Sequence, residues 1–433
     1  MEHERAPVKF AVIGDAFVDI SVGASRVPTR VPAPRPPRID PRDLPAPRAG
    51  ARLFPSLDAS SPTRGAPSTG RLLARFVPLF TRLSSPDAPR PPHTPLTCPP
   101  PPSGPLAEIP APGGDVDVDA VTQNPGGSAL NTAWHLAAQG VHVSLHAAVG
   151  RDRAATILTS ALDAESKIAD PSKTLAVLNY QPTASCVALH GPRVDRAFVS
   201  ASGAASAANL AQLVPNGPDS LDVTHVHIGG FYVCAGLQSA LPKFVEALKR
   251  RGVVVSADPN FDAGGVWRTP AALATMTRGP GAVDLLMPSE VEACEITGKD
   301  TAEEALEALV GGTDERRIKL AVIKRGAAGV LAGDRDGRRW HAPACTVARV
   351  VDTNGAGDAF NAGFLRVWSA GGAVGEALRA GCASAAVAAQ HAGGSGAWAP
   401  DARRVDAQAD AEYGDKPWWQ KGVLACMAPR KLA

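Results

Sequence analysis

Short apolar runs that end in glycine or aspartate alternate with longer amphipathic stretches through most of this chain, and that alternation restricts the fold more than any other feature. Val8 to Ile13 runs into Gly14-Asp15, and Val223 to Ile228 runs into Gly229-Gly230. Ser128 to Gln139 has helical spacing closed by Gly140, Val141 to Val149 is apolar again, and Leu237 to Arg250 has helical spacing up to Gly252. The series continues with Val253 to Ser256, Val283 to Met287, a helix from Glu290 to Thr297, and Leu320 to Ile323, then helices over Ala359 to Ser369 and Val374 to Gln390. Short apolar runs bounded by turn residues suit strands buried on both faces. Strands that alternate with helices across short loops build a parallel sheet covered on both sides. The expectation is an α/β fold.

Two segments depart from this rule. Gly114 to Val121 alternates Asp and Val, the pattern of a strand wet on one face, and leads directly into Asn124-Pro125-Gly126-Gly127. Ser185 to Ser200 reads as two strands around His190-Gly191-Pro192. Together they predict a small separate sheet beside the main one.

Residues 24–112 interrupt the pattern. Of the 40 prolines, 24 lie between Pro28 and Pro112, a density that removes backbone donors and blocks helix and sheet interiors. The segment is read as a disordered insertion; Leu72 to Leu83 has the composition of a short helix, but none is assigned there. A Pro/Arg-rich tract can dock an SH3-type domain or make a basic contact surface. Unstructured filler is the favoured reading, and translated non-coding sequence is the third. Peptides from Arg35 to Arg90 in mass spectra of the native protein exclude that third reading. Residues 401–433 are read as a C-terminal tail.

With 45% apolar and 20% charged residues and a net charge of +2, the chain has no global field to draw it to nucleic acid or to an acidic membrane. The seven cysteines include no Cys-x-x-Cys pair, so reduced thiols are expected rather than zinc or a disulfide framework. No stretch is apolar enough to span a membrane, and the early acids of Met-Glu-His-Glu-Arg, with no apolar h-region after them, count against a secretory signal or transit peptide. A cytoplasmic location is the expectation.

The residues that carry chemistry cluster at the ends of the apolar runs. Asp352-Thr353-Asn354-Gly355-Ala356-Gly357-Asp358 follows a strand-like Ala348 to Val351 and precedes an apolar helix. Small residues at a helix N-terminus admit a phosphate to free N–H groups. Asp358 reads as a general base that accepts a hydroxyl proton while that oxygen attacks a γ-phosphate. The N–H groups of Ala356, Gly357 and Asp358 would form an anion hole; a simple N-cap would account for a lone Gly-x-Gly-Asp, but the full run entered through Asp352-Thr353 is much more specific.

Asn124 to Asn131 contains a second glycine turn that opens a helix. A turn with Ser128 as N-cap explains the glycines, but not Asn131, whose amide can bind substrate hydroxyls through donor and acceptor. Ser289-Glu290-Val291-Glu292 has the S-x-x-E form of a capping box. Lys324-Arg325-Gly326-Ala327-Ala328-Gly329 admits a nucleotide or makes a hairpin turn. Asp15, Asp19, Asp258 and Asp358 all lie just past strand ends, where ligands of open α/β sheets bind. His225 and His227 alternate in one strand, so one is expected in the core and one toward the loop.

Taken together these motifs resemble the ribokinase-like (PfkB) carbohydrate kinase family, over residues 8–23 and 113–400. NPGGSALNTAWHLAAQGVHVSLHAAVG, from Asn124 to Gly150, is similar to the family's N-terminal signature, and VDTNGAGDAFNAGF, from Val351 to Phe364, to its C-terminal one. The resemblance implies a three-layer α/β/α sandwich with a small β-sheet lid, its strands near 15–23, 114–123 and 185–200, so that 24–112 interrupts the lid. It implies an ATP-dependent kinase that transfers the γ-phosphate to a hydroxyl of a sugar or nucleoside with Mg²⁺, as in fructokinase, ribokinase or adenosine kinase. Asp358 matches the catalytic base, Ala356 and Gly357 the anion hole, and Asp19, Gly127 and Asn131 the substrate contacts. Lys324, Gly326 and Gly329 match the nucleotide-side loop, and Glu292 the glutamate that supports the metal through water and phosphate. Cys382 to Ser395 matches the segment bordering adenine and, in some members, a monovalent cation. Family lids often pair, which implies a possible homodimer; no nucleic-acid or membrane partner is expected.

Three positions depart from the family pattern. Ser289 stands where Asn is usual, Asp262 where Arg is frequent, and Ser128 where ribokinases proper have Lys. The other class open to the chain is a non-catalytic relative that binds ligands or partners.

Overall fold

Alternate residues of the first strand serve two different cores. β1 (Lys9–Ile13) directs Phe10 and Val12 into one apolar cluster and Ala11 and Ile13 into another, as the two-residue period of a strand requires. In the computed structural model the described residues are 8–22, 113, 118, 121–163, 168–169, 171–191, 194–268, 276–311, 318–393 and 399–414. They belong to the unit formed by Met1–Arg26 and Pro101–Ala433; Val27–Pro100 make up a second unit. The unassigned helix at Leu72 to Leu83 lies outside the described residues, as does most of Gly114 to Val121.

Numbered along the chain, β1 joins β4 (His142–Val149), β5 (Leu175–Val177), β8 (His225–Gly229), β9 (Val254–Asp258), β10 (Leu285–Leu286), β11 (Leu320–Lys324), β12 (Val330–Asp334) and β13 (Arg339–Ala342). The order across this sheet is β13-β12-β11-β10-β9-β8-β1-β4-β5. All pairings are parallel except the β11–β12–β13 edge, which is antiparallel. One face is covered by α1 (Ser128–Ala138), α2 (Arg153–Asp163), α6 (Ala356–Ser369), α7 (Val374–Ala389) and α8 (Ala402–Tyr413).

 The other face carries α3 (Leu241–Arg250), α4 (Glu290–Thr297) and α5 (Ala302–Val310). The result is a three-layer sandwich. Phe364, Leu130 and Leu136 fill the first core and Phe244, Leu248 and Leu306 the second, each fully buried apolar side chain contributing roughly 1.5–3 kcal/mol.

A second, four-stranded sheet has the order β3-β2-β6-β7, from β2 (Phe17–Val22), β3 (Val121–Gly126), β6 (Ala184–Gly191) and β7 (Val194–Ala201). β2 and β3 are antiparallel, with Val22 opposite Val121 and Phe17 opposite Gly126. Asn124-Pro125-Gly126, read in the sequence as a turn, is therefore strand. Pro125 is tolerated because β3 is an edge.

Several local readings need correction. Leu237 to Arg250 is not one helix: Ala235–Gln238 ends, and α3 restarts at Leu241 with Pro242 in its first turn, where a missing N–H costs least. Ala348 to Val351 forms no strand; the N–H groups of Val351 and Asp352 donate to the Ala389 carbonyl at the end of α7. The segment from 401, read as tail, opens with α8, which buries Val405 and Tyr413 in the first core. His225 and His227 are both buried, and Ser256 Oγ lies 2.8 Å from a ring nitrogen of each. Burial holds their pKa values at about 3 and about 4, so both rings are neutral at physiological pH.

Candidate active site

Parallel strands place all their carboxyl ends on one edge of the sheet. Asp15 follows β1, Gly229-Gly230 closes β8, Asp258 is the last residue of β9, and Lys324 is the last of β11. The strand order reverses at β1, which has β4 on one side and β8 on the other, and a crevice forms at such a point.

α6 begins at Ala356, one turn earlier than the sequence suggests, after Gly355 in a left-handed conformation with φ of 71°. Asp358 therefore sits in the first helical turn. Its carboxylate does not cap α6 but reaches to α1: Oδ1 accepts from Ser128 Oγ at 2.7 Å and Oδ2 from Asn131 Nδ2 at 2.9 Å. Asp358 is only 8% exposed. Burial, reinforced by repulsion from Asp258, pushes its pKa up to about 8, against the opposing pull of the Asn131 and Ser128 hydrogen bonds and of Lys324.

Among the described residues, the N–H groups of Gly357 and Asp358 meet no backbone acceptor, whereas that of Ala356 donates to Thr353 O at 3.3 Å. Unpaired N–H groups in a first turn are the ordinary consequence of helix geometry. The Lys324 ammonium is the nearest group to the open side of Gly357, 3.6 Å from where a Cβ would stand. It pairs with Asp258, which also accepts from Asn361 Nδ2 at 2.6 Å. Burial alone would lower the Lys324 pKa, but Asp258 and Glu292 outweigh it and hold the ammonium charged.

Ser128 is the first residue of α1 and not its N-cap; Gly127, with φ of 98°, occupies that position without a side-chain bond. The N-terminus of α1 is instead held by Asp15, whose Oδ1 accepts from Ala129 N at 2.8 Å and whose carbonyl accepts from Leu130 N at 3.2 Å. Asn131 Nδ2 is used by Asp358, and its Oδ1 is buried without a partner. Asp19 lies in β2, opposite Asn124, and burial together with the charge of Asp15 pushes its pKa to about 7.

Ser289 and Glu292 form the reciprocal capping box: Glu292 Oε2 accepts from Ser289 N at 2.7 Å, and Ser289 Oγ accepts from Glu292 N at 3.4 Å. Burial and Asp258 raise the Glu292 pKa to about 7. Gly326 and Gly329 make the hairpin turn between β11 and β12. A Cβ on Gly329 would overlap the Ala342 carbonyl, whereas the side of Gly326 is open. Lys324, grouped with these glycines in the sequence, belongs instead with Asp258 and Asn361. Asp262 faces its own turn, accepting from Gly264 N at 2.8 Å and from Val266 N. Of the segment Cys382 to Ser395, residues 394 and 395 lie outside the described set; Gly393 N donates to Asp352 Oδ2 at 3.1 Å.

Sequence reasoning passed over the positioning roles of Asp15 and Asn361. Asn361 had a usable signal, since it stands three residues after Asp358 on the same helix face. Asp15 had none beyond its place after β1, because its bonds to α1 span 114 residues.

The fold has known counterparts. The structure of Arabidopsis thaliana ribokinase complexed with ribose and ATP superposes with a TM-score of 0.59 at 17% identity, covering 93% of this chain and 99% of that one. A cytidine kinase of Thermococcus kodakarensis is 29% identical over 266 residues, 59% of this chain and 84% of its own length. A fructokinase of Klebsiella pneumoniae is 36% identical over 141 residues, 31% of this chain and 44% of its own. The sequence profile of the pfkB family carbohydrate kinases matches residues 104–401, well over half the chain, and with that match the chain belongs to this family.

Proposed function

We propose that the protein is an ATP-dependent kinase that phosphorylates a hydroxyl of a sugar or nucleoside, with Asp358 as general base. The observation that carries this reading is the buried carboxylate of Asp358, fixed by α1 within a helix turn where the Gly357 and Asp358 N–H groups meet no backbone acceptor and Lys324 lies alongside. The acceptor O–H bond breaks with its proton passing to Asp358. The acceptor oxygen bonds to the γ-phosphorus as the bond from phosphorus to the ADP oxygen breaks. Gly357 and Asp358 N–H groups, with Lys324, stabilise the charge on the moving phosphoryl group. Ala356 contributes small size rather than an N–H.

Asn131 Oδ1 and Asp19 bind acceptor hydroxyls, Gly127 lets the acceptor approach the turn, and the open side of Gly326 borders the nucleotide. Mg²⁺ typically keeps several waters and takes one or two protein carboxylates plus phosphates. The described residues contain no cluster of three or more ligating side chains, while Asp258 and Glu292 supply hard oxygen donors without a closed cage, so the donor set fits. When bound, the metal neutralises developing phosphate charge. A monovalent cation near Asp352 and Gly393, and pairing of two molecules through the four-stranded sheet, where Val121, Phe198 and Val199 are exposed, belong to the same proposal.

ADP release from ATP and Mg²⁺ is measured with ribose, fructose, cytidine and adenosine. Turnover with at least one, lost in Asp358→Asn, is the expected result; no turnover with any of them favours a non-catalytic relative.

A further inference from the structure

Ser128 has no part in capping its own helix, yet it is buried and its hydroxyl is committed to a single acceptor on a distant element. Three facts bear on what it does. Its Oγ is 2.7 Å from Asp358 Oδ1, across 230 residues of sequence. The helix that presents it is tied to the sheet by Asp15 through Ala129 and Leu130. The same stretch of α1 packs so closely on β8 that a Cβ at Gly229 would lie 2.8 Å from Ala129 N and Cα. Ser128 is therefore held by a rigid support, as is Asn131 one turn later.

We propose that Ser128 is a positioning residue for the phosphoryl transfer: by donating to Asp358 Oδ1 while Asn131 donates to Oδ2, it fixes the plane of the base carboxylate relative to the acceptor hydroxyl. This rests on Asp358 being the base. A carboxylate held through only one oxygen rotates about its χ2 bond, which is a broad torsion with little intrinsic preference. Two donors from one helix, one to each oxygen, remove that freedom. A donor to the ionised form also favours it over the neutral acid, so the bond acts on protonation as well as on direction.

The test has a substrate-free arm and a kinetic arm. The protonation of Asp358 is read from the difference in melting temperature between the native protein and Asp358→Asn from pH 5 to 10. The same difference is then measured with Ser128→Ala in both proteins. Loss of a hydrogen bond to a charged group is expected to move the Asp358 transition upward by roughly one pH unit. In kinetics with whichever of ribose, fructose, cytidine or adenosine is phosphorylated, Ser128→Ala lowers kcat about tenfold or more, consistent with loss of orientation, with the acceptor KM changed much less. The acid limb of kcat/KM moves up, and Ser128→Thr restores both values.

An unmoved Asp358 transition together with an unchanged kcat overturns the proposal, as does equal loss in Ser128→Thr and Ser128→Ala. Should Ser128→Ala fail to fold, Ser128→Cys, a weaker donor, is expected to give a smaller shift of the same sign; no shift overturns the proposal. Full turnover in Asp358→Asn would refute the base itself, a result distinguishable from failure at Ser128.

Discussion

Burial and the charge of Asp258 make the carboxyls of Glu292 and Asp358 hold their protons more tightly, and the ammonium of Lys324 only partly offsets this. The Asp358 pKa stands at about 8 against an ordinary 3.8. The folded protein thus binds more protons here than the unfolded chain between about pH 4 and pH 8. By linkage, the Asp358 contribution is most favourable below pH 4 and is lost as pH rises through 8. Asp358→Asn removes that penalty: the variant is expected to melt higher than the native protein at pH 9, and by less at pH 6. The same change lowers kcat by ~10²–10⁴-fold, the usual range for a general base, with acceptor KM nearly unchanged. Lys324→Met acts in the opposite sense on stability. It leaves Asp258, 1% exposed, without its charge partner, and breaking a buried pair in this way costs about 3–5 kcal/mol, measurable by urea unfolding at pH 7.

At the scale of elements, the site depends on how α1 is seated. Gly229→Ala places a methyl against the backbone of Ala129, and overpacking of this kind costs about 1–3 kcal/mol. Because α1 carries both donors to Asp358, the variant is expected to lose kcat along with melting temperature, whereas a loss confined to stability would separate the seat from catalysis. The strands and helices of the sandwich were legible because burial imposes its period on the sequence, as in Val8 to Ile13 and Ser128 to Gln139. The glycines that open α1 and α6, Gly127 and Gly355, were legible too. Their contacts were not: Ser128 reads locally as a cap, and only the packing of α1 against α6 brings it to Asp358. The pairing of Lys324 was hidden for the same reason, since adjacency to Gly326 says nothing of Asp258, 66 residues away. The His225 and His227 pair misled because Ser256, their common partner, lies on the next strand.

For the whole molecule, the important junction is the pairing of the two strand ends that flank residues 23–120 in the sequence. Val22 and Val121 are directly opposite in the β2–β3 ladder, so a loop of a few residues can join them as an ordinary hairpin. Replacing 24–112 with a short glycine-containing linker is expected to leave melting temperature and turnover essentially intact; a large loss of either would show that the segment takes part in folding or catalysis. Lengthening a loop is cheap because closure entropy grows only with the logarithm of its length. The pairing has another consequence. Everything before it supplies β2 and the central strand β1, and everything after it supplies the rest of both sheets, so a chain divided between Val22 and Val121 would yield two polypeptides with complementary surfaces. Expressed together, they would reconstitute the enzyme without a covalent link, and kinase activity would report their meeting.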